Sequence, residues 1–255
     1  MEQHNPIKKR IVVYTAIFGP VDHLQEPLVI PADCDFVCLT DQSFRSKVWQ
    51  VRRIASPLPG DFQRSNRFCK LFPHKFFPEY EYSIYVDGNM IIHGDVSVLI
   101  KSSLKSANIA FFDHAQIKNS PIDCIYDEAE LIYKLALKGR HKDDPVIVRA
   151  QMERFHKEGY PEHNGLISGM VVLRRHNEPD VIRAMEAWWG CLTTMSRRDQ
   201  LSFNYVAWKL GLRVAYLPGD STDNPYFFRA AHRLSLSRRI RAHALAVKKR
   251  LMSVL

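Results

Sequence analysis

Tyr82-Ser-Ile-Tyr-Val-Asp-Gly-Asn-Met-Ile-Ile92 decides how this chain reads. An apolar run ends abruptly at Asp87-Gly88-Asn89, and apolar character then resumes. A buried strand with an acid and an amide at its carboxyl end, and a glycine admitting close approach, is how α/β folds hold a metal-bound diphosphate. Asp87 and Asn89 stand two apart on an extended segment, so both project to one side and can offer oxygen to one hard cation, Mg²⁺ or Mn²⁺. With a single carboxylate, cation affinity is low unless a substrate diphosphate completes the coordination sphere. Asp-Gly-Asn is also good turn chemistry, and both readings stay open here.

Outward from that stretch, apolar runs and helical periods alternate. Arg10 to Ile17 reads as a first buried strand broken by Phe18-Gly19-Pro20, which puts Thr15 and Ala16 where strand meets loop. Asp35 to Thr40 is a second strand ending at Asp41, and Lys47 to Ile54 a third. Gln63 to Phe72 reads as a helix with Arg64, Arg67 and Lys70 on a ridge. Asn108 to Phe112 is a strand ending at Asp113-His114. Helices follow over 123–137 and 144–158, the second opened by Asp144-Pro145 as cap and first helical residue. Gly165-Leu-Ile-Ser-Gly169 leads into a buried strand ending near Arg174, and helices over 177–191 and 197–210 precede a last strand, Arg213 to Leu217. This alternation predicts an α/β fold, a mainly parallel sheet flanked by helices, with ligand chemistry at the carboxyl edge. Asp41, Asp87, Asn89 and His114 all fall at strand ends.

Composition sets the bounds. The 255 residues are 46% hydrophobic, enough to bury a sizeable core, and no repeat or low-complexity tract interrupts them. No run approaches the roughly 18 apolar residues of a membrane span, and the first ten residues lack the apolar centre of a signal peptide, so a cytoplasmic site is expected. Five scattered cysteines read as reduced core thiols. From Asn224 to Leu255 there are eight Arg and Lys residues and no acid, which leaves only +1 of the chain's +9 for the rest. Domain organisation follows: one domain over 1–233 and a basic tail over 234–255. A near-neutral body offers no extended basic surface, so nucleic acid is not expected as a partner. In the tail, Leu236, Ile240, Ala244, Val247, Leu251 and Val254 recur at helical spacing with Arg and Lys on other faces. A basic amphipathic helix of this kind suits an anionic membrane surface, and a helix docked on the domain or a frayed tail suits it as well.

Each candidate site residue has a plain structural alternative. The Arg64, Arg67 and Lys70 ridge can neutralise a departing diphosphate, or be a solvated helix face. His114 can act as acid or base or orient an acceptor hydroxyl, or be structural. Asp127 or Glu128 can serve as a base, or favour the first turn of a helix as acids do. Gly165 to Gly169, with Asp199 and Gln200 some 30 residues on, can form a sugar-binding wall, or Asp199 can be a helix cap.

A resemblance rests on ordered blocks: Tyr14 to Gly19 with Asp22, Asp35 to Asp41, Arg67 to Lys70 and Pro73-His74, Tyr85 to Asn89, the His114 region with Cys124 to Ala129, Gly165-Leu166, Arg174 to Asn177, Trp188-Trp189 and Arg198 to Phe203. Over roughly residues 10 to 233 the chain resembles the glycosyltransferase-like family first catalogued as domain of unknown function 616. That family is similar to the glycogenin-type and lipopolysaccharide galactosyltransferase-type enzymes of GT-A fold, which are retaining. The resemblance implies a nucleotide-sugar donor, UDP-linked, and a hexose transferred to a cell-surface glycan or lipid-linked acceptor. By it, Thr15, Ala16 and Asp41 border the nucleotide and Arg64, Arg67 and Lys70 the diphosphate. Asp87, Asn89 and His232 hold the metal, while Gly165, Asp199 and Gln200 surround the donor sugar. His114 and Glu128 join Asp199 and Gln200 as catalytic candidates. A noncatalytic nucleotide-sugar or glycan-binding module at the membrane surface is the alternative.

Overall fold

Every residue of the first strand, Ile11–Ile17 (β1), is buried, because β1 lies mid-sheet with both faces covered. Its alternation sorts side chains between two cores: Val12, Tyr14 and Ala16 face one way, Ile11, Val13 and Ile17 the other. The computed structural model describes residues 10–20 and 22–230. His232 and the amphipathic stretch 234–255 lie outside the described residues, as does the expected boundary between domain and tail.

After β1 come β2 (Cys34–Thr40), β3 (Gln50–Arg53), α1 (Phe62–Leu71), α2 (Pro73–Phe76), β4 (Tyr82–Val86), β5 (Met90–Ile92), α3 (Ser97–Ser103) and β6 (Ile109–Asp113). The order continues with α4 (Ile125–Leu137), α5 (Pro145–Lys157), β7 (Ile167–Arg174), α6 (Pro179–Thr194), α7 (Gln200–Leu210), β8 (Ala215–Leu217) and β9 (Phe227–Arg229). Seven strands form one sheet in the order β3-β2-β1-β4-β7-β6-β8. All run parallel except β7, which is antiparallel to both neighbours, so the mainly parallel α/β fold is borne out. One core, between the sheet and α1, α4, α5, α6 and α7, holds Trp188, Phe111 and Phe203. The opposite core packs Trp49, Leu99 and Phe227.

Reversal of β7 positions the site. A strand running backwards presents its amino end at the carboxyl edge of its neighbours, so Ile167 to Gly169 lie beside the end of β4. Asp87 N–H donates to Met170 O at 2.9 Å and carries the ladder one residue past β4.

The resumed apolar run does not continue β4. Met90 N–H donates back to Asp87 O at 2.9 Å, so Asp-Gly-Asn is a tight turn, and Met90–Ile92 pairs antiparallel with β9 in a separate two-stranded sheet. Turn and site are thus one feature. The expected third strand shrinks to Gln50–Arg53, and α3 is an element the sequence reading lacked. Caps fall where expected on α5, where Asp144 accepts from Val146 N–H at 2.8 Å and Pro145 opens the helix. All five cysteines are free and buried. Among the described residues no helix is long and apolar enough to cross a membrane.

Candidate functional site

A cleft of ≈ 930 Å³ runs along the carboxyl ends of β1 and β4 and the amino end of β7. Its wall includes Ala16, Asn66, Arg67, Asp87, Asn89, His114, Glu128, Ser168, Gly169, Arg198, Asp199 and Gln200. Eight of the expected site residues therefore meet in one place: Ala16, Arg67, Asp87, Asn89, His114, Glu128, Asp199 and Gln200.

Asp87 is held by a chain of polar groups on β4 and α1. Tyr85 Oη donates to Asp87 Oδ1 at 2.9 Å and accepts from Asn66 Nδ2 at 3.2 Å, and Asn66 Nδ2 also donates to Ala16 O at 2.5 Å. Asp87 Oδ2 accepts no hydrogen bond among the described residues. Burial raises the Asp87 pKa above the ordinary carboxylate range, against the pull of Lys70 and Arg67. A partly desolvated carboxylate with one oxygen that accepts from no described donor suits a hard divalent cation that takes its other ligands from substrate and water, and Asn89 lines the same cleft two residues on. Asn89 itself is 5% exposed, and its backbone oxygen accepts from Ala230 N–H at 2.8 Å.

Beneath the cleft floor lies an ion cluster. Lys70 is fully buried, with Nζ 2.5 Å from Asp199 Oδ2 and 2.6 Å from Gly169 O, over the faces of Tyr85 and Trp188. Arg67 Nε stands 3.2 Å from the same Asp199 oxygen, and its Nη1 donates to Asn66 Oδ1 at 2.6 Å. Burial alone would raise the Asp199 pKa, but Arg67 and Lys70 together outweigh it and hold the carboxyl well below its usual range. Asp199 is not a side-chain cap of α7: its carboxylate is spent on the two cations, and its backbone oxygen accepts from Trp188 Nε1 at 3.0 Å. Gly169 makes this packing possible, since a Cβ there would meet Asp199 Oδ2 and Lys70 Nζ at 3.0 Å each.

On the opposite wall Arg198 Nη2 donates to Glu128 Oε1 and Gln200 Oε1, both at 2.9 Å, so α4 and α7 meet through one guanidinium. His114 closes that end, its N–H donating to Leu166 O at 2.8 Å. Burial lowers the His114 pKa, which keeps the imidazole neutral, and Nδ1 is buried without a partner among the described residues.

Five of the expected site residues do not line this cleft. Arg64 does not reach the cleft: Nε donates to Leu192 O at 2.7 Å and Nη1 pairs with Asp61 at 2.9 Å, tying α1 to the end of α6. Each step of three on a 3.6-residue helix turns about 60° backwards, so Arg64, Arg67 and Lys70 fan apart rather than share a face. Lys70, at the inner end of that fan, is sealed under Gly169 and cannot touch a diphosphate. Thr15 points into the buried sheet interior, 1% exposed, while its neighbour Ala16 lines the cleft. Asp41 accepts from Gly19 N–H at 3.1 Å and lines a separate cavity of ≈ 360 Å³ with Arg53, Ile54 and Ala55. Gly165, at φ +82°, turns the chain before β7 beside Tyr216 and Asn204, so of the expected Gly165–Gly169 wall it is Ser168 and Gly169 that line the cleft. Asn66 and Arg198 are cleft residues that the sequence reading does not single out, although Asn66 precedes Arg67 and Arg198 precedes Asp199.

The chain is 22% identical over 230 residues to the probable hexosyltransferase MUCI70 of Arabidopsis thaliana, an alignment covering 80% of this chain and 38% of that protein. It therefore spans well under half the length of that relative. Among solved structures, the apo form of the bifunctional glycosyltransferase WbbM aligns at TM-score 0.44 and 10% identity, over 82% of this chain and 38% of that one. The apo form of mouse xyloside xylosyltransferase 1 aligns at TM-score 0.44 and 12% identity, over 82% and 84%. Residues 37–218 match the TOD1/MUCI70 glycosyltransferase-like domain, and with that match the chain belongs to the TOD1/MUCI70 family.

Proposed function

We propose that this chain is a glycosyltransferase that moves a hexose from a UDP-linked sugar to a glycan or lipid-linked acceptor. The observation that carries it is the convergence, in one cleft at the strand ends, of Asp87 and Asn89 on one wall, Arg67 and Asp199 on the floor, and Gln200, Glu128 and His114 on the other. Family membership supports the same reading.

Asp87 and Asn89 would hold Mn²⁺ or Mg²⁺, which when bound lends positive charge to the departing diphosphate. Tyr85, donating to one Asp87 oxygen, would leave the other for the cation. Arg67 supplies fixed positive charge beside the same leaving group, and its pairing with Asp199 and Asn66 keeps the guanidinium in place before substrate arrives. Lys70 acts by position, fixing Asp199 and the Gly169 carbonyl. Gln200, steadied by Arg198, lines the sugar side of the cleft, and Asp199, its carboxylate held by Lys70 and Arg67, fixes the position of the Arg67 guanidinium. Neutral His114 can accept a proton from, or orient, an incoming hydroxyl, and Glu128, steadied by Arg198, shares that wall.

Hexose transfer from a nucleotide-sugar panel to soluble glycan acceptors tests the reading. Asp87→Ala should cut turnover by at least about a hundredfold, the scale of losing one electrostatic contact to the transition state. Wild-type rates in that variant would remove Asp87 from the mechanism. Donor binding by calorimetry with neither transfer nor donor hydrolysis would instead make the chain a binding module.

A further inference from the structure

Cys124 Sγ, a carboxylate oxygen of Asp127 and a ring nitrogen of His163 all lie within 4.8 Å of one another, and none of the three residues lines the cleft. Cys124 is 2% exposed and precedes α4 without a side-chain capping bond, and its thiol makes no hydrogen bond among the described residues. Asp127 and His163 are exposed. Asp123 Oδ1 meets His163 Nδ1 at 2.8 Å, a carboxylate–imidazole pair of the kind that orients metal-binding histidines, in which a metal takes Nε2 of the neutral ring while Nδ1 keeps its proton toward the carboxylate. His163 holds φ +52°, a left-handed backbone that no other described non-glycine residue adopts.

A thiol, an imidazole and a carboxylate suit zinc and its neighbours; Mg²⁺ and Ca²⁺ take oxygen alone. Zinc bonds of about 2.0–2.3 Å set ligand atoms roughly 4 Å or less apart, so the two exposed side chains need close by only about 1 Å, through rotation. We propose that Cys124, Asp127 and His163 bind a zinc-class divalent ion, with water in the fourth position and Asp123 orienting the imidazole. Binding takes the thiolate form, so the Cys124 proton leaves to solvent as the sulfur–metal bond forms. The ion fastens the amino end of α4 to the segment that runs into β7, two segments already joined where Tyr126 Oη donates to Tyr160 O at 2.9 Å. Glu128, one residue beyond Asp127, and His114, whose backbone N–H donates to Leu166 O, are the cleft residues this staple steadies.

Anaerobic titration of the chelator-treated full chain with Co²⁺ should produce a near-ultraviolet thiolate-to-cobalt band that stoichiometric Zn²⁺ abolishes. Cys124→Ser should lose the band, whereas Cys34→Ser, in buried β2, and Asp87→Asn should keep it. Should Cys124→Ser misfold, His163→Ala on the exposed loop should weaken Co²⁺ binding at least about tenfold. No band in the wild-type chain, a band that survives Cys124→Ser, or unchanged affinity in His163→Ala would each overturn the site. The readout is spectroscopic, so its failure leaves glycosyl transfer standing, and failure of transfer leaves the metal site standing.

Discussion

Lys70 is a buried ammonium with an assigned counterion, and that fixes what its replacement must do. Lys70→Met keeps the volume but strands the Asp199 carboxylate beside Arg67 alone, under a floor sealed by Gly169. Breaking one partner of a buried pair costs about 3–5 kcal/mol, so urea unfolding should show a loss of that order. Transfer should fall as well, because Asp199 loses its anchor. His176 is the second residue whose environment dictates a measurement. Nε2 meets Phe77 O at 2.9 Å, the ring is 1% exposed, and burial lowers its pKa to about 4. An unfolded histidine titrates near 6.5, so between about pH 6.5 and 4 the unfolded chain binds the extra proton. Stability from the neutral ring is complete above that window and lost as pH falls through it, by up to about 3 kcal/mol. Buried His114 shifts the same way. Carboxylates held low, Asp199 and Glu158, begin to lose their contribution near pH 4.5 and lose most of it below about pH 4, beneath most of the His176 window. Urea midpoints at pH 7 and pH 4.5 should therefore differ, and His176→Gln should flatten the difference; a flat wild-type profile would contradict the assignment.

At the scale of elements the reversed β7 matters most. Because it runs backwards, its first residues rather than its last meet the site, and Gly169 lies over the Lys70–Asp199 pair. Gly169→Ala should push a methyl into both charged atoms at 3.0 Å, lowering stability by about 1–3 kcal/mol and turnover with it. Near-wild-type kinetics in that variant would mean the ion pair has room to shift. The same strand shows what sequence could and could not carry. Apolar runs and terminating polar residues are local, so β1, β2, β4, β6, β7 and β8 were legible, and with them the strand-end positions of Asp87, Asn89 and His114. Strand direction is set by tertiary connection, so a mainly parallel reading could not mark β7 as the exception or narrow the sugar-side wall from Gly165–Gly169 to Ser168 and Gly169. The resumed apolar run at Met90–Ile92 is legible as apolar, but its pairing with β9 in a second sheet is not, because that partner lies more than 130 residues on. The fan of Arg64, Arg67 and Lys70 was legible in principle from helix geometry, but which spoke met the cleft depended on how α1 sits against α6.

For the whole molecule the open consequence is where charge is stored. The body carries about +1 and residues 224–255 carry +8, so long-range attraction to an anionic surface belongs to one end of the chain. Six of those cations, Arg238, Arg239, Arg241, Lys248, Lys249 and Arg250, fall within 234–255. Near an anionic bilayer each contributes on the order of 1 kcal/mol, and the apolar residues spaced between them can bury in the interface. If that stretch is the attachment, deleting 234–255 should release the protein from vesicles rich in anionic lipid while transfer to a soluble acceptor continues, since the cleft is built from residues 16–230. Raising salt should weaken binding of the full chain toward the truncated level, because charges at a surface are screened within about 10 Å at 0.1 M. Partitioning unchanged by the deletion would assign membrane affinity to the body instead, which its near-neutral charge makes hard to explain. Loss of soluble-acceptor transfer in the truncated chain would show that the tail serves the cleft, with His232, just before the cut, as the residue to substitute next.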